Sequence, residues 1–331
     1  MPKDAYNSPF PFVLTVLLLL AALALAYANG ANANFKGVAS LLGSGTLSYG
    51  PCMAWASLTT AAGCMVALLG STVMLQAFSG KGLVPEDLAA QPTFLFAVAG
   101  GAGLANLLAT RLGFPVSTTH MLLGGLLGTG LAARPDRLQL ATLWDTFAQP
   151  LLLAPWLAIL VGASLHSLLR RLRLAPDHRT PWLDRLHGLS AGAVCFARGM
   201  NDTPKMAALL IGIASLSTRT AMLLIAAAMA IGGLISARQV AHTLAHRITD
   251  LSPGQGFSAN LTTAVLVILG SLKGLPLSTT HVTVGALLGI GITTRQAKWQ
   301  TVLPVLAAWV ITLPAAAVLS ASLWKLGCLV S

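Results

Sequence analysis

Five runs of apolar residues, each long enough to cross a bilayer as a helix, decide most of what this chain can become. They cover Pro11–Ala28, Thr93–Thr110, Leu151–Leu169, Thr220–Ile235 and Val302–Leu323. A helix needs about 20 such residues to span the hydrocarbon core. The segments between them are shorter, apolar and rich in glycine. Only 9% of the 331 residues are charged and 55% are hydrophobic, where a soluble chain carries about a quarter charged residues. Mean hydropathy is +0.77. The chain therefore reads as an all-α polytopic membrane protein whose solvent is the lipid bilayer. Its first run ends Ala26-Tyr27-Ala28, as a signal peptide does. However, Lys3 is balanced by Asp4, and cleavage at Ala28 would fall directly before a motif described below. The run is expected to stay as an uncleaved first helix.

The net charge of +11 has a topological origin. Arg170, Arg171, Arg173, Arg179 and Arg185 gather in one central loop, where they outnumber Asp177 and Asp184. Such an excess marks a cytoplasmic loop, and it places the chain in the cell inner membrane as a multi-pass protein. Trp182 is the one aromatic residue among these arginines, and nucleic acid is not an expected partner. Cys52, Cys64, Cys195 and Cys328 form no CxxC pair and lie in apolar sequence, which fits packing rather than disulfides or metal ligation.

The chain repeats itself. Pro115-Val116-Ser117-Thr118-Thr119-His120 returns 161 positions later as Pro276-Leu277-Ser278-Thr279-Thr280-His281. Both copies run on into Gly125-Leu126-Leu127-Gly128 and Ala286-Leu287-Leu288-Gly289. Upstream, Gly30-Ala31-Asn32-Ala33-Asn34-Phe35-Lys36 aligns with Gly199-Met200-Asn201-Asp202-Thr203-Pro204-Lys205, sharing Gly, Asn and Lys. The expected units are an N-terminal repeat over 1–165, an arginine-rich loop over 166–187 and a C-terminal repeat over 188–331. Duplicated halves are common in secondary transporters, often inverted and with a site at the midplane.

The repeated residues suit an oxyanion. Proline followed by hydroxyl residues is a helix start, with Ser or Thr as cap. The dozen apolar residues that follow make about half a span, so each copy predicts a re-entrant half-helix. The first turn of such a helix offers unpaired N–H groups and partial positive charge to an anion. Two of them would surround a tetrahedral oxyanion with donors from Ser117, Thr118, Thr119, Ser278, Thr279 and Thr280. The bland alternative is that these hydroxyls bond back to their own helices. Charges inside a membrane are costly and usually functional, and Asp202, Lys36 and Lys205 are the embedded ones. An ammonium pairs well with a phosphate oxygen, although each lysine could instead snorkel to the interface. Arg111 and Arg198 lie nearer segment ends and are expected to anchor at the interface. If Asp202 reaches the ligand, it can accept from the P–OH of hydrogen phosphate, which sulfate lacks. His120 and His281, like Asp202, are candidate proton carriers, or interior residues bonded to a nearby hydroxyl. His242 and His246, beside Arg238 and Arg247, have a metal-ligand spacing but fit a solvated helix end.

These pieces, in this order over nearly the whole chain, resemble the inorganic phosphate transporter (PiT) family. The matching elements are Gly30-Ala31-Asn32, Gly43-Ser44-Gly45-Thr46-Leu47, both Ser-Thr-Thr-His elements, Gly199-Met200-Asn201-Asp202, and Asp250-Leu251-Ser252-Pro253 before Gly256-Phe257. The resemblance implies two inverted repeats with about 10–12 transmembrane helices, re-entrant half-helices included. It also implies a homodimer that moves phosphate inward with sodium or protons, and substrate contacts that include Asn32 and Asn201. Sulfate permeases share the family, so an oxyanion other than phosphate stays open.

The departures from the pattern bear on coupling. Where the first half of the family reads Gly-Ala-Asn-Asp, this chain has Ala33. Lys36 and Lys205 stand where the family has asparagine, and Thr60 and Asn260 where many members keep glutamates. A cation site needs carboxylate and carbonyl oxygens, so the expectation is sodium-independent transport, proton-coupled or downhill, with the lysines as tethered cations. An anion channel remains a less favoured reading. An enzyme is not expected, because no second embedded acid, no nucleophile with a base and no HExxH occur. No cofactor or metal is called for, and the absence of GxxxxGK[ST] argues against ATP-driven transport.

Overall fold

The computed structural model describes residues 10–246 and 251–330; Lys3, Asp4, Arg247 and Asp250 lie outside it. In chain order the α-helices are α1 (Phe10–Ala33), α2 (Ala39–Gly43), α3 (Tyr49–Ala67), α4 (Thr72–Phe78), α5 (Glu86–Ala89), α6 (Pro92–Arg111) and α7 (Thr118–Ala133). They continue with α8 (Leu140–Thr142), α9 (Gln149–Arg171), α10 (Pro181–Ala207), α11 (Thr218–Ser236), α12 (Arg238–His246), α13 (Pro253–Leu272), α14 (Thr279–Thr294) and α15 (Trp299–Val330).

Among the described residues, 6 helical stretches are long and apolar enough to span a membrane, or 7 with the bent pair α3–α4. The five expected runs all fall inside them. The sixth, α13, carries buried Gln255, Ser258, Asn260, Thr262 and Thr263, which hide its apolar character in the sequence. Helix α10 is 27 residues long but too polar to read as a span. Helices α7 and α14 are 16 residues each, about 24 Å, longer than the half-spans expected of the two Ser-Thr-Thr-His copies but short of the roughly 30 Å hydrocarbon core. Outward faces are apolar: Leu152, Trp156 and Leu160 on α9 and Val310 and Val318 on α15 are all exposed. A stripe of this kind is what lipid wets, and the protein is a multi-pass membrane protein.

Every major packing contact has a counterpart. Helix α1 packs on α6 and α11, and α10 packs on α13 and α3. Helix α6 packs on α7, and α13 on α14. The half-helices cross over: α7 lies against α15 from the far end of the chain, and α14 lies against α9 from the near end. Each half thus completes the other. The central cluster draws Leu18, Phe94, Met121, Leu209 and Ile225 from five segments.

The arginine-rich loop is shorter than 166–187. Helix α9 continues through Arg171 and α10 starts at Pro181, leaving 172–180 as the connection. Arginines at the end of a helix favour its C-terminal dipole, so Arg170 and Arg171 extend α9 rather than break it. At the other side Thr180 caps α10, accepting from Leu183 N, with Pro181 at the first helical position. Arg179 donates to both carboxylate oxygens of Asp184 and to Gly45 O. Those bonds and the Asp184 charge raise the guanidinium pKa above its ordinary value.

Candidate anion-binding site

The site forms where α1 and α10 meet the starts of α7 and α14. Close approach explains the glycine in both upstream motifs. A Cβ on Gly30 would overlap the Met229 carbonyl of α11, and one on Gly199 would overlap the Thr60 carbonyl of α3. Any side chain there would push the Asn and Lys that follow off their targets.

Both half-helices begin as the motif predicts. Ser117 caps α7, its Oγ accepting from His120 N at 3.2 Å. Ser278 caps α14, accepting from His281 N at 3.2 Å. The turns leading into them pass through Gly113 (φ 77°) and Gly274 (φ 69°), a left-handed backbone that glycine adopts without cost. Asparagines hold these turns. Asn32 Nδ2 donates to Thr110 Oγ1 and Phe114 O, while its Oδ1 accepts from Val116 N. Asn201 Nδ2 donates to Leu277 O at 3.1 Å, and its Oδ1 accepts from Ser271.

The two lysines bind crosswise. Lys36 Nζ donates to Val116 O at 3.0 Å, in its own half, and to Thr280 Oγ1 in the other. Lys205 Nζ donates to Leu277 O at 2.7 Å and to Thr119 Oγ1 at 2.8 Å. The threonines reciprocate, Thr280 donating to Val116 O and Thr119 to Leu277 O. Both lysines are buried, at 4% and 0% exposure; neither snorkels.

Asp202 is a buried acid at 6% exposure, and donors crowd it. Its Oδ2 accepts from Asn29 Nδ2 at 3.0 Å and its Oδ1 from Asn201 Nδ2 at 3.2 Å. Arg198 Nε lies 3.8 Å and Lys205 Nζ 3.6 Å from it. Each oxygen has one hydrogen-bond donor here and keeps a second lone pair, so a P–OH donor has an acceptor at Asp202.

Arg198 corrects an expectation. It is 1% exposed, not an interfacial anchor, because the polar start of α10 conceals how deep the helix runs. Its Nη2 donates to Asn29 Oδ1 at 2.6 Å and to Asn29 O, and its Nη1 donates to Asn34 Oδ1. Arg111 is exposed at the end of α6, as an anchor would be. Asn29 and Asn106 went unnoticed in the sequence, since a lone amide carries no charge signal. Both donate to Thr118 Oγ1, at 2.9 and 3.1 Å, and Thr279 Oγ1 accepts from Asn201. The spacing that matches Lys36 with Lys205 also sets Asn29 opposite Arg198, although it says nothing of the threonine that Asn29 meets.

The histidines meet each other. The His120 and His281 rings sit edge to face with centroids 4.3 Å apart, and His281 lies 3.9 Å from the Trp309 ring. His120 Nδ1 pairs with Trp309 O at 3.2 Å, so a carbonyl, not a hydroxyl, holds it. Of the other pair, His242 is exposed on α12; the His246 side chain lies outside what is described. Cys52, Cys64 and Cys195 are buried and Cys328 is exposed, all as free thiols.

Two cavities end on the turns that frame the site. One of about 550 Å³ lies between α9, α13 and α14 and reaches Leu277, with Asp145 and Lys273 along it. The other, of about 280 Å³, is bordered by Gly113, Phe114 and Gln300.

Comparison with known proteins places this arrangement. Residues 29–320 match the profile of the phosphate transporter family. A "Probable low-affinity inorganic phosphate transporter" of Rhizobium meliloti (strain 1021) is 30% identical over 73% of this chain and 76% of its own length. One of the same description from Mycobacterium bovis is 29% identical over 89% of this chain and 73% of its own. A solved structure described as "The sodium-dependent phosphate transporter" superposes with a TM-score of 0.85 at 20% identity, covering 96% of this chain and 100% of that one. The site described above falls within the matched residues, and the chain belongs to the phosphate transporter family.

Proposed function

We propose that this protein is a secondary transporter that moves inorganic phosphate across the cell inner membrane without sodium. The names of its relatives support the substrate. Support for the binding place comes from the two capped half-helices, whose threonines and lysines converge from both halves. The paired packing of α1 with α10, α6 with α13 and α7 with α14 supports two inverted halves around one site, with the arginine-rich connection on the cytoplasmic side. The cavities reaching Leu277 and Phe114 support access from two ends.

One observation carries the coupling proposal. Asp202 is the only buried acid among the described residues, and donors occupy both of its oxygens. Thr60 and Asn260, at the family's glutamate positions, bond to Asn34 and to Ser40. A sodium ion would find one carboxylate, already opposed by Arg198 and Lys205, and no second acid beside it among the described residues. His120 and His281, ring to ring, are the groups for a proton-coupled cycle, since adjacent imidazoles titrate as a pair. Labelled-phosphate uptake into proteoliposomes, with and without a sodium gradient, tests this. Equal rates are expected, and a steep sodium dependence would defeat the proposal.

A second reading, sulfate transport on the same site, is favoured by the excess of buried cations, Lys36, Arg198 and Lys205, over the one buried acid, Asp202. Uptake of labelled sulfate by the same proteoliposomes separates the two: none is expected if phosphate is the substrate, and saturable sulfate uptake would favour the second reading.

A further inference from the structure

We infer that the transported species is a doubly charged oxyanion, which for phosphate means the dianion rather than the monoanion. This rests on the proposal that the site carries phosphate, and concerns the charge state it selects.

The argument is a count of formal charge. Among the described residues, the buried charged side chains are Lys36, Arg198, Asp202 and Lys205. Cations outnumber anions by three to one, leaving two positive charges uncompensated. Counting neighbouring titratable groups does not alter this: Cys64 from α3 faces Thr203, and His120 and His281 face each other. A thiol and two neutral imidazoles add nothing, and protonated imidazoles would only enlarge the excess.

Geometry shows where the excess lies. Arg198 and Asp202 neutralise one another within α10. Lys205 is 3.6 Å from the same carboxylate, which is already partnered. Lys36 has only neutral oxygens as hydrogen-bond partners, those of Val116 and Thr280. Two of its three N–H donors are bonded, and neither partner carries a charge. An unbalanced charge in a low-dielectric interior is expensive, and the ligand that removes this cost fully carries two negative charges. A monoanion leaves one cation unpaired.

Without Lys36 and Lys205, the buried set would sum to zero, Arg198 against Asp202. The two lysines are therefore the specificity-determining residues for ligand charge.

The test uses purified full-length protein in proteoliposomes at one pH and one ionic strength. Uptake of labelled phosphate is inhibited by monofluorophosphate, a tetrahedral dianion, and by hypophosphite, a tetrahedral monoanion. The dianion is expected to inhibit at a concentration lower by roughly tenfold or more. Lys36→Gln and Lys205→Gln should each shrink that ratio towards one, and Asp202→Asn should widen it. Equal potency in the unmodified protein, or stronger inhibition by hypophosphite, overturns the inference and leaves phosphate transport standing. No labelled-phosphate uptake under any condition overturns the transport proposal itself. The unmodified protein alone decides the central point if the variants fold poorly.

Discussion

Lys205 donates a 2.8 Å hydrogen bond to Thr119, 86 positions earlier in the chain and in the other half. Lys36 and Thr280 form the matching bond across 244 positions. The amines that would meet an anion also fasten the halves together.

Replacing either lysine separates these two duties. Lys36→Met or Lys205→Met should cut phosphate uptake by about 100-fold, the scale of one or two charge-assisted hydrogen bonds. Lys36→Met should hold or gain stability, because it removes a buried charge whose partners are neutral, whereas Lys205→Met takes a partner from Asp202 and should lose stability. Uptake and thermal melting of the purified protein, measured together, check this; a variant with unimpaired uptake would remove the lysines from the site.

Arg198 and Asp202 should behave as one unit. Arg198→Met or Asp202→Asn alone strands a buried partner, at a cost of roughly 3–5 kcal/mol. The double variant should cost clearly less than the sum, as expected of groups in one network. Denaturant titration of the four proteins gives the coupling directly, and strict additivity would mean the pair is not an energetic unit.

Glycines with different surroundings should respond with opposite sign. Gly30→Ala and Gly199→Ala force a methyl into the Met229 and Thr60 carbonyls, and each should lose about 1–3 kcal/mol. Gly188 lies in α10 with nothing within 4 Å of an added Cβ, so Gly188→Ala should gain a few tenths to about 1 kcal/mol. Melting temperatures of the three variants test the contrast.

The caps can be removed one at a time. Ser117→Ala and Ser278→Ala should each destabilise by about 1 kcal/mol. They lie on different half-helices, so the losses should add. Phosphate affinity should fall about fivefold in each, since each cap fixes the first turn that faces the anion. A shift confined to one of the two would show that only that half-helix touches substrate.

Sodium dependence should be installable. Ala33→Asp with Lys36→Asn returns a carboxylate and removes an ammonium beside it, and uptake by this protein should rise with a sodium gradient. Unchanged sodium independence would mean the remaining oxygens cannot complete a cation site.

Helix starts were legible because their chemistry is local: proline, then hydroxyls, then apolar residues, written twice. The lysines were legible for the same reason, as charges in apolar sequence at matched positions. Arg198 was not, because Pro181, Asp184, Arg185 and His187 make the beginning of α10 resemble an exposed segment, while the helix carries its last three turns into the core. Span α13 was masked by the polar residues it buries. Asn29 and Asn106 are silent for a different reason: their role depends on which threonine faces them, a tertiary fact. The crosswise bonding was equally out of reach, since no spacing tells whether a lysine serves its own half or the other.

The pairing of Lys36 with Thr280 and of Lys205 with Thr119 has one more consequence. An anion arriving along either cavity would meet an amine from one half and a hydroxyl from the other, in the same order. A site built this way offers the same chemistry from either side, so with equal pH across the membrane loaded vesicles should empty as readily as empty ones fill. Arg198 and Asp202 face Asn29 and Ala33 across the repeat, as Thr203 and Pro204 face Asn34 and Phe35, and any difference in rate between the two directions must originate in such unmatched pairs.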